Sequence, residues 1–522
     1  MIEVSEIFST EFHKDKIVDI KSYKYGENWP VVYIIHNSKE AYVGETTSAV
    51  RRTRNHLENN DRKRLKEIKI ISDEDFNKSV SLDLESKLIE YMSADGIFML
   101  QNGNKGLQDH NYFQKNIYED KFKIIWNQLK KLDLAENKIL DIENSDLFKL
   151  SPFKTLTDEQ VDIVESIVKY LNIEEKSNHI IHGEPGSGKS VLAVYLIKYL
   201  IENSNEKIKN IGLVVPMTSL RNTIKSVFKS VKGLKTSMVI GPYDVAKKDY
   251  DLLIIDEAHR LARRKQLSNY GAFDKASKKL GFDKEKCTQL DWILKQGKHV
   301  VLFYDKNQTV KPADIPKEHF FNIDANKYTL SSQFRVKAGK EYSKYIENIL
   351  NQKVNVKENF EKYDLRLYDN VNEMIEEIKK RNEKIGLSRN VAGYAWKWES
   401  KNKPEAYDIY IDGFKYKWNS KKNDWVNSKN AINEIGCIHT IQGYDLNYAG
   451  VIIGPELIYR NGSIEYISHN YKDISAKDLS LSQEEMKQYI INIYKTLLTR
   501  GIYGTYIFAC DKELREYLSR FI

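Results

Sequence analysis

Residues 183 to 190 read Gly-Glu-Pro-Gly-Ser-Gly-Lys-Ser. They are entered from the apolar run His179-Ile180-Ile181-His182 and left through Val191-Leu192-Ala193-Val194-Tyr195-Leu196, which is spaced as a helix. A strand, a glycine-rich turn and a helix in that order make a phosphate-binding loop. Gly183, Gly186 and Gly188 let backbone N–H groups close around phosphate oxygens, and the helix adds the positive end of its dipole. Lys189 is placed for the outer phosphates and Ser190 for Mg²⁺. The chain is therefore expected to bind and hydrolyse ATP or a similar nucleoside triphosphate, with Mg²⁺ as cofactor.

Working outward, Leu252-Leu253-Ile254-Ile255-Asp256-Glu257-Ala258-His259 reads as a buried parallel strand ending in two carboxylates. Asp256 is suited to hold Mg²⁺ through water and Glu257 to orient and activate the attacking water. Val300-Val301-Leu302-Phe303-Tyr304-Asp305 is a further apolar strand, followed by Gln308. Upstream, Leu156-Thr157-Asp158-Glu159-Gln160 opens a helix with Thr157 as N-cap and Gln160 three residues on. Downstream stand Ser332-Gln333-Phe334-Arg335, then Ile438-His439-Thr440-Ile441-Gln442-Gly443-Tyr444-Asp445 before the strand Val451-Ile452-Ile453-Gly454. Tyr494-Lys495-Thr496-Leu497-Leu498-Thr499-Arg500-Gly501 follows, before the strand Thr505-Tyr506-Ile507-Phe508-Ala509.

In this order the elements resemble superfamily 1 helicases, and more narrowly the bacterial helicase-like family grouped with the Schlafen helicase domains. That resemblance implies two RecA-like parallel α/β lobes with ATP between them. It also implies roles: Gln160 reads adenine, Gln308 senses the γ-phosphate and Arg335 reaches the triphosphate. Gln442 lies in the motif coupling ATP to the nucleic-acid track, and Arg500 is an arginine finger. A phosphate-loop ATPase without a motor is the alternative.

Nearer the start, Val31-Val32-Tyr33-Ile34-Ile35 and Ala41-Tyr42-Val43-Gly44 are β-prone runs joined by the hairpin connection Asn37-Ser38-Lys39-Glu40. Arg52 and His56 follow four apart, on one helical face. Asp83-Leu84-Glu85-Ser86-Lys87-Leu88-Ile89 reads as an amphipathic helix, and Leu100-Gln101-Asn102-Gly103-Asn104 comes after it. Taken singly these are ordinary packing residues. In this order they resemble the GIY-YIG nucleases, a module sometimes fused to the helicase-like family above; valine replaces glycine in the first tripeptide. The resemblance implies a Mg²⁺-dependent phosphodiesterase: Glu85 binds the metal, Arg52 contacts phosphoryl oxygens, and Tyr33 or Tyr42 acts on the water with His56 as relay. Asn102 stands for the family's late asparagine, with Asn104 as competitor. Which tyrosine is the base stays open.

Composition sets the outer limits. Lys and Arg number 82 against 74 Asp and Glu, for a formal net charge of +8. That permits local contact with nucleic acid without demonstrating it. No run approaches the roughly 20 apolar residues that span a bilayer. Residues Met1 to Ile20 do not read as a secretory signal, so a cytoplasmic protein without membrane contact is expected. Cys287, Cys437 and Cys510 are too scattered for a disulfide framework or a zinc site. Basic runs at Arg51 to Arg54, Arg62 to Arg64 and Arg260 to Lys265 are read as solvated faces, the first alone having support as phosphate contacts. Trp396, Trp398, Trp418 and Trp425 gather around a hairpin signal at Asp412-Gly413. They are expected to form the core of a small insert, with base stacking as the alternative.

The expected fold is α/β: a small α+β GIY-YIG domain at 1–110, a helical linker at 111–150 that braces rather than tethers, and two RecA-like lobes at 151–325 and 326–522. The second lobe carries an insert around 386–436. The expected enzyme is an ATP hydrolase and endonuclease on nucleic acid, DNA by preference and RNA as alternative. The fusion suggests defence against phage or foreign DNA. A nucleotide-gated switch that licenses cutting without translocation is a further reading, and protein partners are not legible.

Overall fold

Five strands, β1 (Phe8–Glu11), β2 (Glu27–His36), β3 (Glu40–Ser48), β4 (Glu67–Ile71) and β5 (Met99–Leu100), form a sheet in the order β1-β4-β2-β3-β5. In this computed structural model the described residues are 7–103, 112–203, 207–267, 269–305, 308, 312–333, 336–421, 424–441, 443–473 and 481–522. The Asn37 side chain accepts from the backbone of Lys39 and Glu40 and turns β2 back as β3. The antiparallel register sets Tyr33 opposite Gly44. Because β2 is central, Val31 to Ile35 are buried on both faces. Helices α1 (Ile17–Ser22), α2 (Ala49–Glu58) and α3 (Lys78–Asp95) complete the module. Ser48 caps α2, and α3 runs from an Asn77 cap to Gly96 in the left-handed region.

Three helices follow, α4 (Lys115–Lys131), α5 (Ile139–Asn144) and α6 (Asp146–Lys149). They are fastened to α3 and the segment before it. Lys121 pairs with Asp73 at 2.7 Å and Asp75 at 2.9 Å, and Tyr118 Oη donates to the Asp75 carbonyl. Tyr91 meets the rings of Phe122, Trp126 and Phe148. The segment is thus packed onto α3 and residues 73–75.

The chain divides into two compact units. One is Met1–Val168 with Val191–Glu206 and Ile224–Thr236; the other is Lys169–Ser190 with Lys207–Thr223 and Ser237–Ile522. Helices α7 (Asp158–Ile173), α8 (Lys189–Glu202) and α9 (Thr218–Ser230) each cross that division. Within the first unit, Lys198 of α8 pairs with Glu202 at 2.5 Å and donates to the Lys232 carbonyl. Its ammonium lies 5.7 Å from the Phe153 ring, and Glu202 sits beside Gly103.

The second unit holds two sheets. β6 (Ser177–Gly183), β7 (Ile211–Val214), β8 (Val239–Ile240), β9 (Tyr250–Ile255), β10 (Gly297–Tyr304) and β11 (Asn326–Leu330) run parallel in the order β11-β6-β10-β9-β7-β8. Then come β12 (Asp364–Leu367), β13 (Ser388–Ala392), the hairpin β14 (Ile409–Ile411) and β15 (Phe414–Tyr416), β16 (Ile435–Cys437), β17 (Leu446–Ile453), the hairpin β18 (Leu457–Arg460) and β19 (Ser463–Tyr466), and β20 (Gly501–Ala509). β12-β20-β17-β13-β16 form the second parallel sheet. The apolar runs of β9, β10 and β17 are continuous because parallel strands are covered on both faces. These are the two α/β lobes expected from the sequence. Trp418 is buried with Ile452 and Phe508, with Trp396 and Trp398 packed against that cluster, and Trp425 is buried in a second cluster with Val391 and Val451, so the insert's tryptophans join the lobe's core instead of forming one of their own. Asp412 and Gly413, at φ 48° and 84°, make the tight turn that the sequence signalled.

Candidate active sites

In the first unit, β2, β3 and α2 converge on one hydroxyl. Tyr33 Oη lies 2.7 Å from His56 Nε2 and accepts from Arg52 Nε at 3.1 Å. Tyr42, two register positions from Tyr33 on the neighbouring strand, has its ring centroid 5.1 Å from that of His56. The ring of Tyr33 fits only because residue 44 has no side chain: a Cβ there would stand 2.2 Å from Tyr33 Oη. Tyr33, Tyr42, Arg52 and His56 are thus brought together as the sequence order implied.

The electrostatics follow from burial. Burial holds the Tyr33 hydroxyl protonated far above the ordinary phenol range, with the nearby Arg52 offsetting part of the effect. Burial, then the charges of Arg62 and Arg52, push His56 down to about 3, so its ring is neutral at neutral pH. Glu85 on α3 is pushed up to about 7 by burial and then by the charge of Glu45. Two carboxylates sharing one neighbourhood with Arg52 offer hard oxygens of the kind Mg²⁺ takes. Among the described residues no group of three or more His, Cys, Asp or Glu is arranged to hold a metal.

Asn102 does different work from a catalytic group. Its amide exchanges both hydrogen bonds with the backbone of Val43, accepting at 3.0 Å and donating at 2.8 Å. It pins the strand between Tyr42 and Gly44. Two neighbours were missed from sequence. Glu45 follows the second tripeptide directly and pairs with Lys78; its adjacency was the available signal. Arg62, read as part of a solvated run, lies with its guanidinium carbon 3.6 Å from the Tyr42 ring centroid, and its Nη1 meets His56 Nδ1. No local pattern marks it, because it reaches the site from the turn after α2.

In the second unit the phosphate loop joins β6 to α8, with Gly186 and Gly188 at φ 86° and 84° as the curl requires. Lys189 Nζ donates to the carbonyls of Gly183 at 2.6 Å and Glu184 at 2.9 Å. β6 and β9 both flank β10, so the loop, Asp256 and Asp305 share the carboxyl edge of one sheet. Ser190 Oγ donates to Asp256 Oδ2 at 2.7 Å. A hydroxyl and a carboxylate side by side fit Mg²⁺. Glu257 sits at φ 52°, a left-handed conformation uncommon outside glycine, and its Oε2 lies 2.9 Å from His259 Nε2. Burial and then Glu257 push Asp256 up. Burial acts upward on Glu257 too, but His259, Lys189 and Arg500 reverse it and hold Glu257 below the usual carboxylate range. Glu257 is thus held ionised. His259 was legible only as part of the tetrapeptide, without its role.

Gln308 donates to Asp305 Oδ2 at 2.8 Å. Gln333 Nε2 donates to the carbonyl of Pro185 in the phosphate loop at 2.7 Å. Arg500, buried at the start of β20, donates to the Tyr444 carbonyl at 3.1 Å, while its charge bears on Glu257. Tyr444 Oη lies 3.1 Å from Thr223 Oγ1. Arg335, Gln442 and Asn104 lie outside the described residues. In the first unit Gln160 forms the expected cap, accepting from Thr157 N through its side chain while its backbone N–H donates to Thr157 Oγ1. No helix among the described residues is long and apolar enough to cross a membrane.

A family model described as Schlafen group 3, DNA/RNA helicase domain, matches residues 176–511, well over half of the 522. The match spans both parallel sheets and leaves the N-terminal sheet outside it. The chain is 27% identical over 438 residues to an uncharacterized protein, YPL245W, of Saccharomyces cerevisiae, covering 70% of this chain and 91% of that one. Among solved structures it is similar to the Pif1 helicase from Candida albicans at 11% identity, covering 70% of this chain and 99% of the other with a TM-score of 0.29. It is also similar to the DEAD-box helicase Mss116 bound to ssRNA and UDP-BeF at 14% identity, covering 72% and 76% with a TM-score of 0.34. At such TM-scores the two solved structures add nothing to the sheet orders already given.

Proposed function

The chain belongs to the Schlafen group 3 DNA/RNA helicase domain family, and from that premise we propose that its helicase-type motor, driven by ATP, is joined to a Mg²⁺-dependent endonuclease that cuts DNA. The observation that carries the nuclease half is the Tyr33 hydroxyl, bridged to His56 and Arg52, with Glu85 beside them in the field of Arg52.

A phosphodiester is hydrolysed when a water is aimed at phosphorus, the equatorial charge is neutralised and the leaving oxygen is helped. Arg52 supplies a planar cationic donor for phosphoryl oxygens. The tyrosine pair orders the water. Glu85 would hold Mg²⁺, which supplies Lewis-acid charge. In the motor, Lys189 and Ser190 bind the triphosphate end, Glu257 aims the attacking water, and Arg500 neutralises transition-state charge. Gln308 reports the γ-phosphate, and Arg335 and Gln442 take the roles their motifs imply. Coupled lobe movements then carry nucleic acid past the cutting module. We extend the proposal to defence against foreign DNA; equal phage plating on cells carrying the unaltered chain and Glu85→Ala would remove that extension.

The test is cleavage of supercoiled plasmid by the purified chain with Mg²⁺, with and without ATP, beside Lys189→Ala and Arg52→Ala. Cutting that requires ATP and both residues supports a motor-coupled nuclease. Cutting that needs Arg52 alone separates the activities. ATP-dependent cutting without strand displacement makes the motor a nucleotide-gated switch. Cutting of RNA alone moves the substrate. No cutting of either refutes the nuclease.

A further inference from the structure

Arg62 is outside the set of residues that the sequence order implied, yet it touches two of them. Its guanidinium covers the Tyr42 ring, and its Nη1 meets His56 Nδ1 closely and Nε2 at the long distance of 3.4 Å, so Nδ1 is the nitrogen it engages. A guanidinium has donors only. The ring nitrogen it meets must therefore accept, and in a neutral imidazole the proton then belongs to the other nitrogen. That other nitrogen, Nε2, is 2.7 Å from Tyr33 Oη.

We infer that Arg62 is a positioning residue that locks His56 in the Nε2–H tautomer, so that Tyr33 Oη receives two N–H donors, one from His56 and one from Arg52. This rests on the nuclease reading for its consequence, though not for its geometry. The groups around His56 are Tyr33, Tyr42, Arg52 and Arg62, and none of them is an acid that would recruit a second proton to the ring. With both of its lone-pair directions taken by donors, the Tyr33 oxygen has its own proton left to offer. That proton points away from both nitrogens.

The chemical consequence corrects the relay expected from sequence. His56 cannot take a proton from Tyr33, because Nε2 already carries one and Nδ1 is covered by a cation. Tyr33 then serves as a hydrogen-bond donor to a phosphoryl oxygen or to the water. Tyr42, only part buried, is left as the tyrosine that faces the water.

The test is the imidazole ¹⁵N signature of His56 in the full chain, labelled in its histidine rings and recorded by magic-angle spinning, with the signal assigned by its loss in His56→Gln. The unaltered chain and Arg62→Lys are expected to show Nδ1 unprotonated and Nε2 protonated. Arg62→Met, which keeps length and loses every donor, is expected to shift population to the Nδ1–H form. In plasmid cleavage Arg62→Met should lower kcat about 10- to 100-fold, as loss of an orienting partner does. KM should stay within about twofold, and Arg62→Lys should recover most of the loss. An Nδ1–H tautomer in the unaltered chain, or a tautomer unmoved by Arg62→Met, overturns the inference. If the unaltered chain cuts nothing, the nuclease reading fails while the spectra still decide the tautomer.

Discussion

A methyl group at position 44 tests the N-terminal site without touching any charged residue. In Gly44→Ala the new Cβ would lie 2.2 Å from Tyr33 Oη, 2.4 Å from its Cζ and 3.0 Å from Tyr42 Cε1. No rotation of the methyl relieves this, so the Tyr33 ring must leave its place on the buried face of β2. The move sacrifices the hydrogen bonds to His56 and Arg52, worth about 1 kcal/mol each. Overpacking in a buried site adds about 1–3 kcal/mol. A local destabilisation near 3 kcal/mol corresponds to roughly 100-fold in the opening equilibrium. Hydrogen exchange read on peptides spanning residues 31–46 isolates this site from the rest of a multi-unit chain. Exchange there should quicken by about that factor, while peptides in β9 and β10 stay as they were. In a Tyr33→Ala background the two closest contacts are gone and only the 3.0 Å approach to Tyr42 Cε1 remains, so the same methyl should cost far less. Equal effects of Gly44→Ala in both backgrounds would falsify the steric argument and the placement of Tyr33 with it.

Arg500→Ala should keep nucleotide affinity, read with a fluorescent ATP analogue, and lose turnover by about 10³-fold or more; unchanged turnover removes the finger. Glu257→Gln should cut hydrolysis by about 10²-fold or more while trapping bound ATP, since a positioned base contributes at least that much. Hydrolysis within a few-fold of the unaltered rate would move the water-activating role elsewhere. Glu456 is fully buried, hydrogen-bonded to Tyr494 Oη, near Tyr466, Tyr471 and Cys510, and pushed up to about 7 by burial. The folded chain therefore keeps a proton that the unfolded chain releases near an ordinary glutamate value. Stability should fall as pH rises from roughly 4.5 to 7, by up to about 3 kcal/mol. Glu456→Gln should flatten that slope in thermal midpoints, and an unchanged slope would clear Glu456 of the effect.

What the sequence disclosed was whatever depends on neighbours in the chain. The runs before Gly183 and through Ile255 announce covered parallel strands, and the glycines at 186 and 188 need their φ for local reasons. Asp412-Gly413 forces its hairpin in the same way. Asp256 and Glu257 were readable because a strand's end fixes where its next residues point. The partners that tune the site come from elsewhere. Glu45 and Glu85 meet across a strand and a helix, and Arg62 reaches His56 from a turn. Asn102 was read as chemistry because its residue type suits it, whereas its amide is taken up by Val43, a contact set by the arrival of β5 beside β3. Spacing carries no information about such meetings. They are settled by packing.

The helix α8 begins at the phosphate loop and, a run of about 20 Å later, ends with Glu202 beside Gly103. This bears on inheritance. A module that merely rides on a motor can be gained or lost by a gene break in the connecting segment, leaving both halves intact. Here a break near residue 150 would strip the N-terminal unit of Val191–Glu206 and Ile224–Thr236, stretches that it has in common with the motor's sequence. In related chains that lack the N-terminal sheet, position 202 should be free to drift, while Lys189 and Ser190, more than three turns earlier on the same helix, should not.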